Sequence, residues 1–556
     1  MAALWPNGPN PPRTQGKRMS VSISETRARE LAPIGSNERI QALDVIRGFA
    51  LIGIFLMNVE WFTRPIAELG SGVDVSQTGL SYVASWLVYT FVQGKFWTMF
   101  SLLFGMGFAV MLSRAESSER AFATPYVRRI VGLFLFGAAH FVLIWTGDIL
   151  QNYAITALLL LLIVSQSWKA WLALLLWVCV VGYGFATDSL LTSLVALGAA
   201  AGAAWLIFRG TIDRWYKLAA LVLTAVAASI ATGPTSPDMA LAAILLGLVA
   251  VLMYVLNRGS LDRYYKLGAG MYALVFVGAL LFIAAVLVNP ELKPGGSPEA
   301  AAERAERAIE RQHERAEEVR VLTSASYPES VVHRAGQYRE HMSEAVGGSI
   351  LTLPLFLIGF WFARSGVMAQ LRQNLPLFRR LLRWTLPLGL GITLASVWLH
   401  SNFPPGSGRQ NSVALARTLF ELGALPLSIG YFSALVCLLG TGWGERLLSP
   451  LRHAGRMALT NYLGASVIGT LFFSGYGLGY YGQVSRGGQV VFVAAVFALQ
   501  LAFSYLWLSK FRYGPMEWLW RAITYWQLPS MRRERTAANS LPAGATKLAS
   551  RAFGGM

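Results

Sequence analysis

The sequence predicts an all-α, polytopic helical membrane protein with about fourteen transmembrane helices and both N and C termini cytoplasmic. Three observations carry that expectation. Hydrophobic residues fill 54% of the 556 positions and charged residues only 14%, against about 25% charged in soluble domains. Apolar runs of about twenty residues, enough to cross a bilayer core, recur between short charged or Gly/Pro-bearing breaks. The basic residues behind the net charge of +18 gather in alternate connections, as the positive-inside rule demands. Backbone amides in lipid must pair internally, so such runs form helices.

Residues 1–40 read as a disordered cytoplasmic tail with Arg13, Lys17, Arg18, Arg27 and Arg29, and without the apolar core of a cleavable signal. A transmembrane core at 41–188 follows, with spans near 43–62, 81–113, 129–146, 149–166 and 169–187. The second is too long for one perpendicular helix, so it tilts or breaks near Gln93-Gly94-Lys95. Spans near 189–208, 218–232, 238–256 and 266–288 form an insertion at 189–288. There Arg209-Gly210-Thr211-Ile212-Asp213-Arg214 recurs as Arg258-Gly259-Ser260-Leu261-Asp262-Arg263, and each copy runs on through aromatic residues to Lys217-Leu218 or Lys266-Leu267. Two spans separate the copies, which reads as a duplicated hairpin, and its Ala/Leu/Val/Gly composition reads as packing.

The charged connection 289–345 falls on the outside. From Ser297-Pro298-Glu299 to Val321 its composition favours a helix, either a solvated spacer or a lid over an outward-facing cavity. A C-terminal transmembrane domain at 346–526 holds spans near 346–363, 383–400, 414–440, 456–475 and 488–508, and 527–556 is a cytoplasmic tail. With this topology the inner breaks carry arginines such as Arg114, Arg128, Arg129, Arg364 and Arg452, while the short outer loops hold only Arg64, Arg409 and Arg486.

Several function classes drop out. The basic excess lies in loops, so nucleic-acid binding has no support. Cys179 and Cys437 lie within apolar runs and read as small buried hydrophobes. No Gly-Lys-Ser/Thr phosphate loop, His-Glu-x-x-His or zinc-spaced Cys/His set occurs, so no metal or bound cofactor is expected.

Ionisable residues inside membrane spans cost free energy and so mark candidate sites. Asp44 and Arg47 stand three apart at the inner end of the first span. They form a structural cap and ion pair, or present a guanidinium to an anionic group. His140 lies deep in the third span, and Asp148 follows the Gly147 turn, which can fold the carboxylate back. The pair reads as a packed histidine or as a general base tuned by a carboxylate. Asn58, Glu60, Gln93 and Lys95 reach a comparable depth. Arg417 and Glu421, four apart, can neutralise each other in a polar interior.

These residues also carry a resemblance. Leu43-Asp44-Val45-Ile46-Arg47-Gly48-Phe49-Ala50 with Asn58, Lys95-Phe96, His140 through Trp145-Thr146-Gly147-Asp148, Gly455-Arg456-Met457-Ala458-Leu459-Thr460-Asn461-Tyr462, and Phe511-Arg512-Tyr513-Gly514-Pro515-Met516-Glu517-Trp518 closely resemble the YeiB family, whose C-terminal half is domain of unknown function 418. The opening motif is similar to that of membrane acyltransferases of the heparan-glucosaminide N-acetyltransferase type, which move an acyl group from cytoplasmic acyl-CoA to an acceptor across the membrane. That similarity implies a site region containing Asp44, Arg47 and Asn58. In the heparan enzyme the active histidine follows helix one; residues 63–80 here contain none, so the role falls to His140.

The resulting expectation is an acyltransferase of the bacterial inner membrane. Its partners are membrane lipids, acyl-CoA as co-substrate and a small-molecule, glycan or lipid acceptor. Arg47 contacts donor phosphates, His140 is the base, Asp148 orients it, and Asn58, Gln93 or Lys95 supplies oxyanion donors. A proton-coupled transporter of a small or lipidic solute, using His140 and Asp148 as a relay, is the rival. A scaffold without chemistry is the third reading.

Overall fold

Sustained apolar runs leave the backbone one way to satisfy its amides, and the chain takes it. A computed structural model describes residues 40–65, 73, 77–117, 122–165, 262–288, 298–403 and 410–533; among these every apolar run is helical and no strand forms. α1 (Gln41–Asn58) continues through a 3-10 turn, Val59–Phe62. The long second run breaks as expected, into α2 (Gly79–Phe91) and α3 (Lys95–Ser117). Gly94 takes φ +78° at the break, a left-handed conformation that glycine adopts without a Cβ penalty. α4 (Ala123–Ala139) ends in a π-helical turn, His140–Ile144, before α5 (Leu150–Ser165).

After residues 166–261 the chain resumes with α6 (Asp262–Val288) and the charged helices α7 (Pro298–Ser324) and α8 (Tyr327–Gly336). Next come α9 (Tyr338–Arg364), α10 (Leu375–Asn402), α11 (Gln410–Leu439), α12 (Gly442–Arg456), α13 (Ala458–Phe473), α14 (Arg486–Lys510) and α15 (Pro515–Tyr525). Eight helical stretches are long and apolar enough to cross a membrane, and α5 and α13 are shorter apolar helices. These occupy ten of the expected spans. The other four, between 169 and 256, lie outside the described residues, as does the first copy of the repeated motif.

Two boundaries differ from the sequence reading. α9 starts at Tyr338 rather than near 346, because the polar segment Tyr338-Arg339-Glu340-His341 is helical and turns His341 inward, which hydropathy does not register. Between α11 and α13 the arginine-bearing break is itself a helix, α12, with Leu448, Ala454 and Gly455 buried and Trp443 and Leu447 exposed.

Glycines set the closest crossings. A Cβ on Gly48 of α1 would run into the Leu451 carbonyl oxygen of α12, and one on Gly455 into the Asp44 carbonyl oxygen. The crossing of α3 and α9 repeats this reciprocity: Gly105 abuts the Phe356 carbonyl and Gly359 the Leu102 carbonyl. Small residues let membrane helices approach backbone to backbone, where packing rather than hydrophobicity drives association. The second copy of the repeated motif also has a visible task. Asp262 accepts a hydrogen bond from Trp361 Nε1, while Tyr264 and Tyr265 pack on Phe360 and Trp361, so the motif pins α6 to the end of α9.

Arginine-bearing turns gather at one end of the bundle. Arg364 of α9 pairs with Glu116 of α3 at 2.6 Å, Trp520 Nε1 of α15 donates to the Arg129 carbonyl of α4, and Arg456 donates to the Arg512 carbonyl. At the opposite, arginine-poor end the charged connection folds back on the bundle. Gly475 N–H donates to the Leu322 carbonyl and Tyr327 hydroxyl to the Leu143 carbonyl. The end of α7 and α8 thus pack on the bundle, while most described residues of α7 before Val321 are exposed.

Candidate functional site

The π-helical turn places the most fully buried charged pair. Trp145 N–H reaches back five residues to the His140 carbonyl, and Trp145 itself is extended, so α4 stops and the chain reverses through Thr146-Gly147 into α5. π turns of this kind recur at functional sites. The reversal brings Asp148 onto His140: Nδ1 to Oδ1 is 2.9 Å and both side chains are fully buried. The other carboxylate oxygen accepts from the Gln151 N–H at the start of α5. Gly137 makes room for this, since a Cβ there would lie 2.8 Å from Asp148 Oδ2.

With Nδ1 donating to the carboxylate, the other ring nitrogen carries the lone pair. His140 Nε2 is buried without a hydrogen-bond partner among the described residues. The ring faces Tyr462 of α13 at 5.2 Å between centroids and Trp145 at 6.2 Å.

Tyr462 also lines a cavity with Leu51, Ile54, Phe55 and Asn58 of α1, Asn461 and Ser466 of α13, and Gln500 of α14. The cavity has room for about one water among polar partners.

α8 and the start of α9 roof the dyad. Arg334 donates through Nε to the Val142 carbonyl at 2.9 Å and through a terminal nitrogen to the Leu143 carbonyl at 3.3 Å, capping carbonyls that the π turn leaves open. Burial holds the Arg334 guanidinium below its ordinary value and likewise lowers the neighbouring His333. His341 stacks on Phe141 at 4.0 Å, with Nε2 4.0 Å from Asp148 Oδ2. The Asp148 carboxylate therefore lies between two histidines. Gln151 donates to the Tyr338 hydroxyl, Asn152 to the Ala345 carbonyl, and Thr352 to Asn152, tying α5 to α9 around the dyad.

Other expected residues are placed elsewhere. Arg47 and Asp44 pair at 2.7 Å at the arginine-rich end, where Arg47 lies within electrostatic reach of Arg129. Asn58 borders the small cavity, together with Tyr462, whose ring faces His140. Gln93 occupies the helix break, half-buried. Lys95 turns to a different set of neighbours. It is fully buried, with its ammonium 3.5 Å from the Phe420 ring centroid and 3.5 Å from the Tyr89 carbonyl. Glu60 is taken up by two of the three outer arginines, at 2.7 Å from Arg64 and 3.0 Å from Arg486. Arg417 is exposed while Glu421 is half-buried, and no ion pair within 4.0 Å joins them among the described residues. The mutual neutralisation expected of them is not a contact pair.

Sequence reasoning missed His341, Tyr338 and Arg334, which it placed in the outer connection. Their one signal was that polar residues continued helically into an apolar run.

The C-terminal motif also acquires a physical role. Glu517 accepts from the Leu459 and Thr460 amides and from the Thr460 hydroxyl at the start of α13. It caps that helix with a carboxylate, as the helix dipole favours. Burial pushes the Glu517 carboxyl up, and its bonds to Thr460 oppose that. The same helix carries Tyr462, so the motif holds one wall of the dyad.

This motif lies within the stretch, residues 362–527, that matches a family model described as a protein of unknown function, DUF418. Over 504 residues the chain is 29% identical to the uncharacterized protein YxaH of Bacillus subtilis (strain 168), spanning 89% of this chain and 97% of that protein. Over 492 residues it is 25% identical to the uncharacterized protein YeiB of Escherichia coli (strain K12), spanning 88% and 96%. The chain is thus similar to YeiB/DUF418 proteins along most of its length. The two alignments extend over nearly the full length of both relatives, whereas the DUF418 match begins at the end of α9 and excludes the dyad. No solved structure matches the chain.

Proposed function

We propose that this protein is a transmembrane acyltransferase in which the Asp148–His140 dyad is the general base. The observation that carries the reading is the dyad: a carboxylate fixed on Nδ1 and an unpartnered, buried Nε2. That is the arrangement a base needs in order to take a proton from a weak nucleophile. In the proposed step the acceptor hydroxyl or amine attacks the thioester carbonyl and gives its proton to His140 Nε2. The carbon–sulfur bond breaks, and the thiolate of coenzyme A takes up the proton as it leaves.

Donor binding is assigned to the arginine-rich end, where Arg47 presents a guanidinium suited to phosphate. From Arg47 to Asn58 along α1 is about 16 Å at 1.5 Å per residue, a length that a pantetheine arm covers. Asn58 is the oxyanion donor best supported by position, since Lys95 has other neighbours. The test is release of free thiol from acetyl- or long-chain acyl-CoA by the protein in nanodiscs, with and without membrane-lipid or glycan acceptors. His140→Ala is expected to cut the rate by about 10²- to 10⁴-fold. Release unchanged by that substitution, or absent with every donor and acceptor, sinks the proposal.

Proton-coupled transport is the second reading, favoured by the ionisable side chains of His140, Asp148 and Lys95 buried within the helical bundle. Solute movement in proteoliposomes that follows a pH gradient without any acyl-CoA would select it.

A further inference from the structure

Lys95, fully buried, and Glu421, half-buried, form a second cluster of ionisable groups, which the dyad chemistry does not use. Lys95 opens α3 directly after the left-handed Gly94, and its own carbonyl accepts from Ser428, in the middle third of α11. Its side chain has no exposure. An ammonium has three protons to place, yet this one meets a single carbonyl, Tyr89, at a long 3.5 Å, and the face of Phe420. The Glu421 carboxylate, next in sequence to Phe420, is within its electrostatic field but does not close a contact ion pair. Keeping separated charges in a buried site is costly, because the desolvation of each is not repaid by direct contact. A proton passing from the ammonium to the carboxylate removes both charges.

The surroundings suit proton exchange. Broken helices within membrane proteins leave backbone groups open and recur where ions bind. The hydroxyls of Thr90, next to Tyr89 on α2, and of Thr393 on α10 are buried without a hydrogen-bond partner among the described residues. Thr393 abuts α11 beside Gly423. The titratable and charged groups facing the pair are Tyr89 on α2, Tyr272 on α6, His400 on α10 and Arg417 on α11. The Tyr272 hydroxyl donates to the Glu421 carbonyl, and His400 lies 6.1 Å from the Tyr89 ring.

We propose that Lys95 and Glu421 form a proton-binding site at the break between α2 and α3, distinct from the His140–Asp148 dyad, which exchanges one proton with water as the pair changes charge.

The test uses the full chain in nanodiscs. Infrared difference spectra between pH 5 and pH 9 should contain a carboxylic C=O band that Glu421→Gln removes. Modification of Lys95 by acetic anhydride, read by mass spectrometry against exposed Lys510, should rise about tenfold at pH 7 in Glu421→Gln, because the neighbouring carboxylate favours the ammonium. Lys95→Gln should move the midpoint of the same infrared band, which keeps the proposal testable if Glu421→Gln does not fold. His140→Gln should leave both readouts unchanged. A Lys95 that is unmodified at every pH, with no titrating carboxyl band, overturns the site. A response of either readout to His140→Gln overturns its separateness.

Discussion

His140 and Asp148 meet at 2.9 Å with the second carboxylate oxygen also bonded, whereas Lys95, equally buried, has one long contact to a carbonyl and no contact carboxylate. Both lie in a helical membrane protein where charge is costly. The dyad is satisfied on one side and open on the other, which is how a base is held ready. The lysine cluster is underpaired throughout, which makes its charge state the variable. Pairing geometry, rather than burial, separates a positioned base from a proton-exchange site.

Substitutions should expose that contrast. The largest effect is expected from His140→Ala, which strands a buried carboxylate and should cost about 3–5 kcal/mol of stability, the usual penalty for breaking a buried pair. Lys95→Met removes a charge that lacks a contact partner and should be neutral or stabilising. Denaturant unfolding in detergent measures both, and equal losses would erase the distinction.

Gly137→Val comes next. Its side chain meets Asp148 Oδ2 and the Gln151 backbone, so acyl transfer should fall to the His140→Ala level while Lys95 modification stays as in the unaltered protein.

Arg334→Ala should loosen the roof by about 1–3 kcal/mol, the range for leaving buried acceptors unmade. Faster amide exchange at Val142–Trp145 would register it, and unchanged exchange would show that α8 is not what holds the turn.

A smaller effect follows from His333. Burial lowers its folded-state value below the unfolded one, so its contribution is fully present above about pH 6.5 and is lost as pH falls through the folded value. Proteolysis within 325–337 should therefore quicken at pH 5, and His333→Gln should abolish that dependence. Arg320→Ala should do least. Although Arg320 bridges Glu317 and Glu329, all three are exposed, and exposed pairs contribute little; an unchanged Tm is expected.

Much of the fold was legible in residue order. Among the described residues, apolar run length identified the eight helical stretches long enough to cross a membrane and the two shorter apolar helices, and Gln93-Gly94-Lys95 marked the helix break. Asp44 and Arg47 were also legible as a pair, because three residues on one helix are neighbours by geometry alone. The roof was not. His341 is far from Asp148 in sequence and sat in a segment whose polarity resembled a solvated loop. The neighbours of Lys95 were not legible for a related reason: equal depth along two helices says nothing about which faces they turn to each other.

By itself, then, the sequence determined that this protein is helical and membrane-embedded, because lipid leaves the backbone no other way to pair its amides. Tertiary structure alone decided that Asp148 folds back onto His140, that His341 joins them and that Lys95 turns to the Phe420 ring and the Tyr89 carbonyl. Those choices depend on a π turn, a glycine-sized gap and helix rotation, which are set by packing between segments and not by hydropathy along any one of them.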